Sequence, residues 1–287
     1  MRLTQFEARG SRFRLKDRDP SYTNGVRSKE AAQRQLAESV GRLRALQERL
    51  YAQDTWALLV VLQALDAAGK DSTIEHVMSG VNPQGCEVHP FKAPSDEERD
   101  HDYLWRTSKS LPRRGHIGIF NRSYYEEVLV VRVHPEYLQR EKIPRPLIKK
   151  RLWEERFEDI NNHELYLSRN GIVVRKIFLH VSKKEQRRRF LARLERPEKQ
   201  WKFSMSDVEE RARWSDYMRA YEEMIRATST KHAPWYVVPA DHKWFSRLVV
   251  SRIIIEALEG LDLQFPTVDP GHKQELSRVK RALEHER

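Results

Sequence analysis

Trp56 to Leu62 is an apolar run with no polar alternation, and similar short runs follow at Cys86 to Phe91, Ile117 to Phe120, Ile172 to Val181 and Trp235 to Val238. A strand that is wet on one face alternates polar and apolar residues, whereas a continuous apolar run suits a strand covered on both faces. Helical segments separate all of these runs. That alternation predicts right-handed crossovers and a five-stranded parallel sheet with helices on both faces, so the expected fold class is α/β.

The separators carry helical signals. From Ser28 to Tyr51 the residues Leu36, Val40, Leu43, Leu46 and Leu50 recur at helical spacing and mark one buried face. Ser95 to Glu98, Ser182 to Glu185 and Ser206 to Glu209 each fit a capping box, and Gly171 follows a long helical stretch as a stop. Residues 1–27 are polar, contain Pro20 and Gly25, and read as an irregular arm. The main domain is expected at 28–260, with a polar C-terminal extension at 261–287.

Cys86 is the single cysteine, which excludes an internal disulfide framework and favours a reducing compartment. It reads as a small buried hydrophobe. The N-terminus lacks an apolar signal region and no apolar run approaches membrane-spanning length, so a cytoplasmic protein with no membrane partner is expected. Eleven histidines show no metal-site spacing, and His76, His89, His116 and His180 read as packing or surface residues.

The formal charge is +11, which implies a polyanionic partner without naming one. Its distribution is informative: Lys183 to Lys202 holds nine Lys or Arg against three Glu. A cationic segment of that density suits an extended anion.

The first apolar run leads into Leu65-Asp66-Ala67-Ala68-Gly69-Lys70-Asp71, which nearly fits the phosphate-loop pattern G-x-x-x-x-G-K-[ST]. Ala64 replaces the first glycine, Asp71 replaces the hydroxyl residue, and Ser72 and Thr73 come one place late. A loop between a buried strand and a helix start aims N–H groups and the helix dipole at one point, where anions bind. Asp66 and Asp71 would repel phosphate unless a divalent cation lies between, although Asp71 also suits a first helical turn. As a bare pattern the stretch also fits an ordinary turn. A second cluster, Asn121-Arg122-Ser123-Tyr124-Tyr125-Glu126, follows the third run, and strand carboxyl ends converge on one crevice in such sheets. There Asn121 could orient a metal-bound water, Arg122 bind a phosphate, and Glu126 hold a metal or the acceptor.

Three long blocks, "LDAAGKDSTIEHVMSGVNPQGCEVHPFKAPS", "DYLWRTSKSLPRRGHIGIFNRSYYEEVLV" and "FLARLERPEKQWKFSMSDVEERARWSDYMRAYEEMI", resemble the second polyphosphate kinase family over roughly residues 28–260. The resemblance implies a P-loop kinase fold related to thymidylate kinase, and phosphoryl transfer between inorganic polyphosphate and AMP or ADP. Guanine nucleotides are a further option. It also implies Mg²⁺, with Mn²⁺ as a substitute, and a homo-oligomer, either dimer or tetramer. By this analogy Asp66 and Asp71 are metal ligands, and Asp66, Lys70, Asn121, Arg122 and Glu126 form the catalytic set. Ala67, Ala68, Gly69, Lys70, Asp71, Ser72 and Arg122 would hold phosphate. Asn121, where many members carry Asp, together with Glu126 resembles the class that accepts AMP as well as ADP.

The basic stretch falls where thymidylate-kinase-like enzymes carry a lid, at about 182–206, and Arg187, Arg188, Arg189 and Arg193 are its polyphosphate candidates. Phe91, Lys92, Arg106 and Glu126 are nucleotide candidates, with Phe91 as core and Arg106 as a helix cap for the alternative. Trp214, Tyr217, Met218 and Tyr221 recur at helical spacing and read as core or subunit interface. Two other classes compete. An ATP-dependent nucleoside monophosphate kinase has no need of so many lid cations, and a nucleic-acid-binding module would interleave aromatics with the basic patch, where Lys183 to Arg196 offers only Phe190. No specific nucleic-acid partner is expected.

Overall fold

The computed structural model describes residues 1–10, 12–26, 28–201 and 203–286. Arg27, which closes the expected arm, Lys202, which closes the basic stretch, and the terminal Arg287 lie outside the described residues.

Strands β1 (Ala57–Gln63), β2 (Cys86–Pro90), β3 (Ile117–Asn121), β4 (Ile172–His180) and β5 (Trp235–Pro239) form one sheet in the order β2-β3-β1-β4-β5. Every pairing is parallel. β1 is central and buried at all seven positions. Its side chains divide between two cores: Leu58, Val60 and Leu62 enter one, and Leu59 and Val61 the other. That division is why the run shows no alternation. The first core is closed by the helices Lys29–Gln53 and Lys243–Glu259, and the second by Leu152–Arg169 and Trp214–Thr228.

Cap chemistry sets the helix ends. The Ser28 hydroxyl accepts from the Ala31 N–H and opens the first long helix. Ser95 and Glu98 form a complete capping box. At Ser182 only half of the box forms: its hydroxyl accepts from the Glu185 N–H, while Asp241 takes the Ser182 N–H at 2.7 Å. The box expected at Ser206 lies two residues earlier, between Ser204 and Asp207. Ser204 has the extended backbone that an N-cap needs, and Asp207 reaches its N–H at 3.0 Å. Gly171, at φ +77, stops the helix Leu152–Arg169.

The N-terminal arm is irregular, with two short 3₁₀ turns, yet it packs closely. Ala8 donates to the Trp235 carbonyl and Val237 donates to that of Phe6, so the arm covers the outer edge of β5. At the other end of the chain, residues 271–284 of the helix Pro270–Glu284 are exposed. No helix among the described residues is long and apolar enough to cross a membrane.

Candidate active site

The loop from Ala64 to Gly69 joins the buried tip of β1 to the helix Lys70–Val77. Ala67 and Gly69 both take positive φ, at 59° and 108°. At Gly69 a side chain would be strained by that positive φ, although the space it would enter is only in ordinary contact with the Ser72 hydroxyl at 3.4 Å. Ser72 donates that hydroxyl to the Gly69 carbonyl, tightening the turn. The Lys70 ammonium donates to the Ala64 carbonyl at 2.8 Å. Burial, then the positive charge of Arg122, lowers the Lys70 pKa, against the carboxylates of Asp66, Glu126 and Asp71. These five charged groups therefore share one electrostatic environment.

β3 runs beside β1 with Asn121 opposite Leu62. The Arg122 N–H donates to the Leu62 carbonyl, and Arg122 then turns at φ +66, a conformation that a residue with a side chain adopts only when its surroundings impose it. Its guanidinium donates to Asp66 at 3.1 Å and to Glu126 at 3.2 Å. Glu126 foremost, with Asp66, raises the Arg122 pKa and keeps the cation charged. Asn121 donates its side-chain amide to Asp71 at 2.8 Å, tying the start of the loop helix to the end of β3. Asp66, Lys70, Asp71, Asn121, Arg122 and Glu126 thus converge.

The basic segment comprises the helices Lys183–Leu194 and Pro197–Gln200, and the helix Met205–Ala212 follows it. Arg189 departs from its expected role as a lid cation exposed to the donor. All five of its N–H donors are committed: the Nε to Glu185, one terminal nitrogen to the carbonyls of Ala67 and Ala68, the other to those of Ala240 and Asp241. Arg189 is buried and clamps the phosphate loop to the end of β5. Because a trans peptide points its N–H opposite its carbonyl, drawing the Ala68 carbonyl onto Arg189 turns the Gly69 N–H the other way. Arg187 and Arg188 are exposed, Arg188 with two bonds to Glu185, and Arg193 lies over the Phe190 ring.

Of the nucleotide candidates, Phe91 takes its core alternative, while Arg106 lies inside the short helix Trp105–Ser108 and does not serve as the helix cap that was its alternative. Phe91 is buried against Phe120 at 4.9 Å between ring centres. Arg106 is buried, donates to the Lys92 carbonyl and lies 3.7 Å from both Glu98 and Glu127. Its charge is spent inside the fold, while Lys92 is exposed. Cys86 is only partly buried, and burial pushes its thiol up to about 11, so it stays protonated.

A narrow cleft opens beside Arg122. Asp66, Arg122 and Glu126 line it together with Gln186, Asp207, Glu210, Arg211, Trp214, Tyr217 and Tyr221. Tyr217 and Tyr221 belong to the core, as their spacing predicts, and also wall the cleft. Sequence reasoning missed Gln186 and Arg211: Gln186 donates to the Asp66 carbonyl and accepts from Arg211, joining the lid to the loop. It also missed Lys243, whose stem lies 3.6 Å from where a Gly69 side chain would begin. These residues carry no motif, and only their helical phase relative to Arg189 or their place after β5 could have suggested them.

A glycine-lysine loop at the tip of a central parallel strand, facing an arginine set among carboxylates, defines a P-loop phosphotransferase. The sequence profile of polyphosphate kinase 2 matches residues 26–266. The ADP-polyphosphate phosphotransferase of Rhodopseudomonas palustris is 51% identical over 266 residues, 92% of this chain and 91% of that protein. The AMP/ADP-polyphosphate phosphotransferase of Meiothermus ruber is 47% identical over 256 residues, 89% and 92% of the two chains. The crystal structure of polyphosphate kinase 2 from Arthrobacter aurescens superposes with a TM-score of 0.88 at 39% identity, covering 97% of each chain. The chain belongs to the polyphosphate kinase 2 family.

Proposed function

We propose that this chain is a polyphosphate-dependent nucleotide kinase that phosphorylates AMP to ADP and ADP to ATP, reversibly. An oxygen of the nucleotide's terminal phosphate attacks the end phosphorus of polyphosphate. The bond from that phosphorus to the bridging oxygen breaks, and the shortened chain leaves with the electron pair. Lys70 and Arg122 hold phosphates on either side of the moving group. The loop fixes one reactant against the other, which is most of what a loose phosphoryl transition state requires. No strong base is needed, because the attacking phosphate oxygen is already ionised near neutral pH.

The single observation carrying this reading is the convergence of Lys70 and Arg122 with Asp66 beneath an arginine-rich helical segment. Asp66 and Asp71 fit Mg²⁺, or Mn²⁺ in its place, since such ions take one or two carboxylates and complete their shell with phosphate oxygens and water. When bound, the ion neutralises phosphate charge. Both carboxylates are held by neighbours, Asp66 by Arg122 and Asp71 by Asn121. The exposed Arg187 and Arg188 offer cations to a polymeric donor. Asn121 with Glu126, together with the names of the relatives, supports AMP and ADP as acceptors. A cytoplasmic setting and self-association as a dimer or tetramer go with the family resemblance.

The test is product analysis with AMP, ADP or GDP and polyphosphate, with and without Mg²⁺ and with no ATP supplied. ADP and ATP should form only with the metal present. Failure of fully metal-loaded protein to transfer phosphate to any nucleotide would overturn the proposal.

A further inference from the structure

Arg122 and Glu126 are separated by Ser123, Tyr124 and Tyr125, none of which has any exposed surface. The Ser123 hydroxyl accepts from the Gln63 amide at 3.2 Å and from the Tyr125 N–H at 3.1 Å. Both phenols reach into the second core. Tyr124 donates to one oxygen of Glu164 at 2.9 Å, and Tyr125 donates to the same oxygen at 2.8 Å. The other Glu164 oxygen accepts from the Lys176 ammonium at 2.6 Å. Lys176 completes its three donors with the Tyr125 oxygen at 2.8 Å and the Thr228 carbonyl at 2.6 Å.

Glu164 and Lys176 are both fully buried. An ion pair taken out of water repays its desolvation poorly, and well-packed apolar residues in its place are often as stable or more so. Its use here therefore calls for a role besides stability. Glu164 sits on the helix Leu152–Arg169, Lys176 on β4 and Thr228 at the end of the helix Trp214–Thr228. The two phenols thus fasten the turn after Arg122 to three elements of the scaffold at once. That turn begins with a left-handed Arg122 backbone, which needs an imposed geometry to persist. Its far end carries Glu126, the partner of Arg122.

We infer that the Glu164–Lys176 pair with Tyr124 and Tyr125 is a buried positioning unit that sets Arg122 and Glu126 for phosphoryl transfer. None of the four would touch substrate. The inference rests on the reading of Arg122 as a phosphate ligand. The Lys176 ammonium takes one oxygen of Glu164 and leaves the other to accept both phenols, an acceptor that an apolar residue in place of Glu164 would not supply.

The test compares Y124F/Y125F, which keeps both rings and loses both donors, with E164M/K176M, which replaces the pair by apolar side chains. Steady-state kinetics, thermal midpoint and amide hydrogen exchange at 122–126 are measured on each. The expected result is a fall in kcat of about ten- to a hundredfold in both variants, as a displaced catalytic group causes. KM for polyphosphate should stay within about twofold, and exchange at Tyr125 and Glu126 should quicken while the midpoint shows both variants folded. Should E164M/K176M fold and retain wild-type kcat and exchange, the pair is structural only and the inference is overturned. Losses of kcat that merely track the unfolded fraction overturn it too. If the unmodified chain transfers no phosphate, the activity proposal fails, while the exchange comparison still decides whether the unit holds the turn.

Discussion

Lys70 occupies an unusual position for an ammonium. It is held among three carboxylates and one guanidinium, and its bond to the Ala64 carbonyl folds it back over its own loop. Burial and Arg122 oppose its charge, so an arriving phosphate replaces a neutral carbonyl partner with a doubly useful anion. Lys70→Ala should lower transfer by about a thousandfold, on the scale of losing a central electrostatic contact, with the thermal midpoint nearly unchanged. Activity within tenfold of wild type would reject the loop assignment. Much of this residue set was readable in the chain, because Asp66 to Asp71 and Asn121 to Glu126 are contiguous and each follows an apolar run. Gln186, Arg211 and Lys243 were not, since their relation to the loop exists only after three segments distant in sequence meet.

The helix Lys183–Leu194 divides its cations by face. Gln186, Arg189 and Phe190 are buried, at spacings of three and four, while Arg187, Arg188 and Leu191 point outward. Composition announced a cationic element but not its phase, and the row of arginines looked equivalent. The structure makes them unequal, because the Arg189 fork meets four carbonyls fixed by neighbouring loops. Two outcomes follow from that division. Arg189→Lys should cost about a hundredfold in kcat for donors of every length, since one ammonium cannot hold four carbonyls from two loops. Arg187→Ala with Arg188→Ala should instead raise KM several-fold for long polyphosphate and flatten its salt dependence, leaving KM for the nucleotide unchanged. Kinetics with donors of graded length at two ionic strengths distinguish the two, and equal losses on both substrates would remove the donor role from the exposed pair.

Two cores on one parallel sheet require both faces to be closed, and here the polar arm closes one edge as well. The arm pairs with β5, and the Asp241 N–H donates to the Pro20 carbonyl, so the arm reaches the same β5 loop that Arg189 clamps. β1, β3, β4 and β5 were legible because their apolar stretches report burial, whereas the expectation of a strand covered on both faces fails at β2, an edge strand that carries Glu87 and His89 and is buried at none of its positions. The arm's packing was not legible, because Leu3, Phe6, Phe13 and Leu15 lie scattered in a polar segment without period. His180, at the end of β4, is buried beneath this arm, with Asp19 and Asp241 nearby, and burial pushes its pKa down to about 4. Between the ordinary histidine value near 6.5 and about 4, the unfolded chain binds a proton that the folded chain refuses. Stability therefore falls as pH drops through that window, and this histidine accounts for about 3 kcal/mol of the loss once pH is below both values. Thermal midpoints measured from pH 7 to pH 4 should decline more steeply for the wild type than for His180→Gln, whose side chain has no proton to gain. Parallel declines in the two proteins would show that His180 is not the group whose protonation loosens the arm.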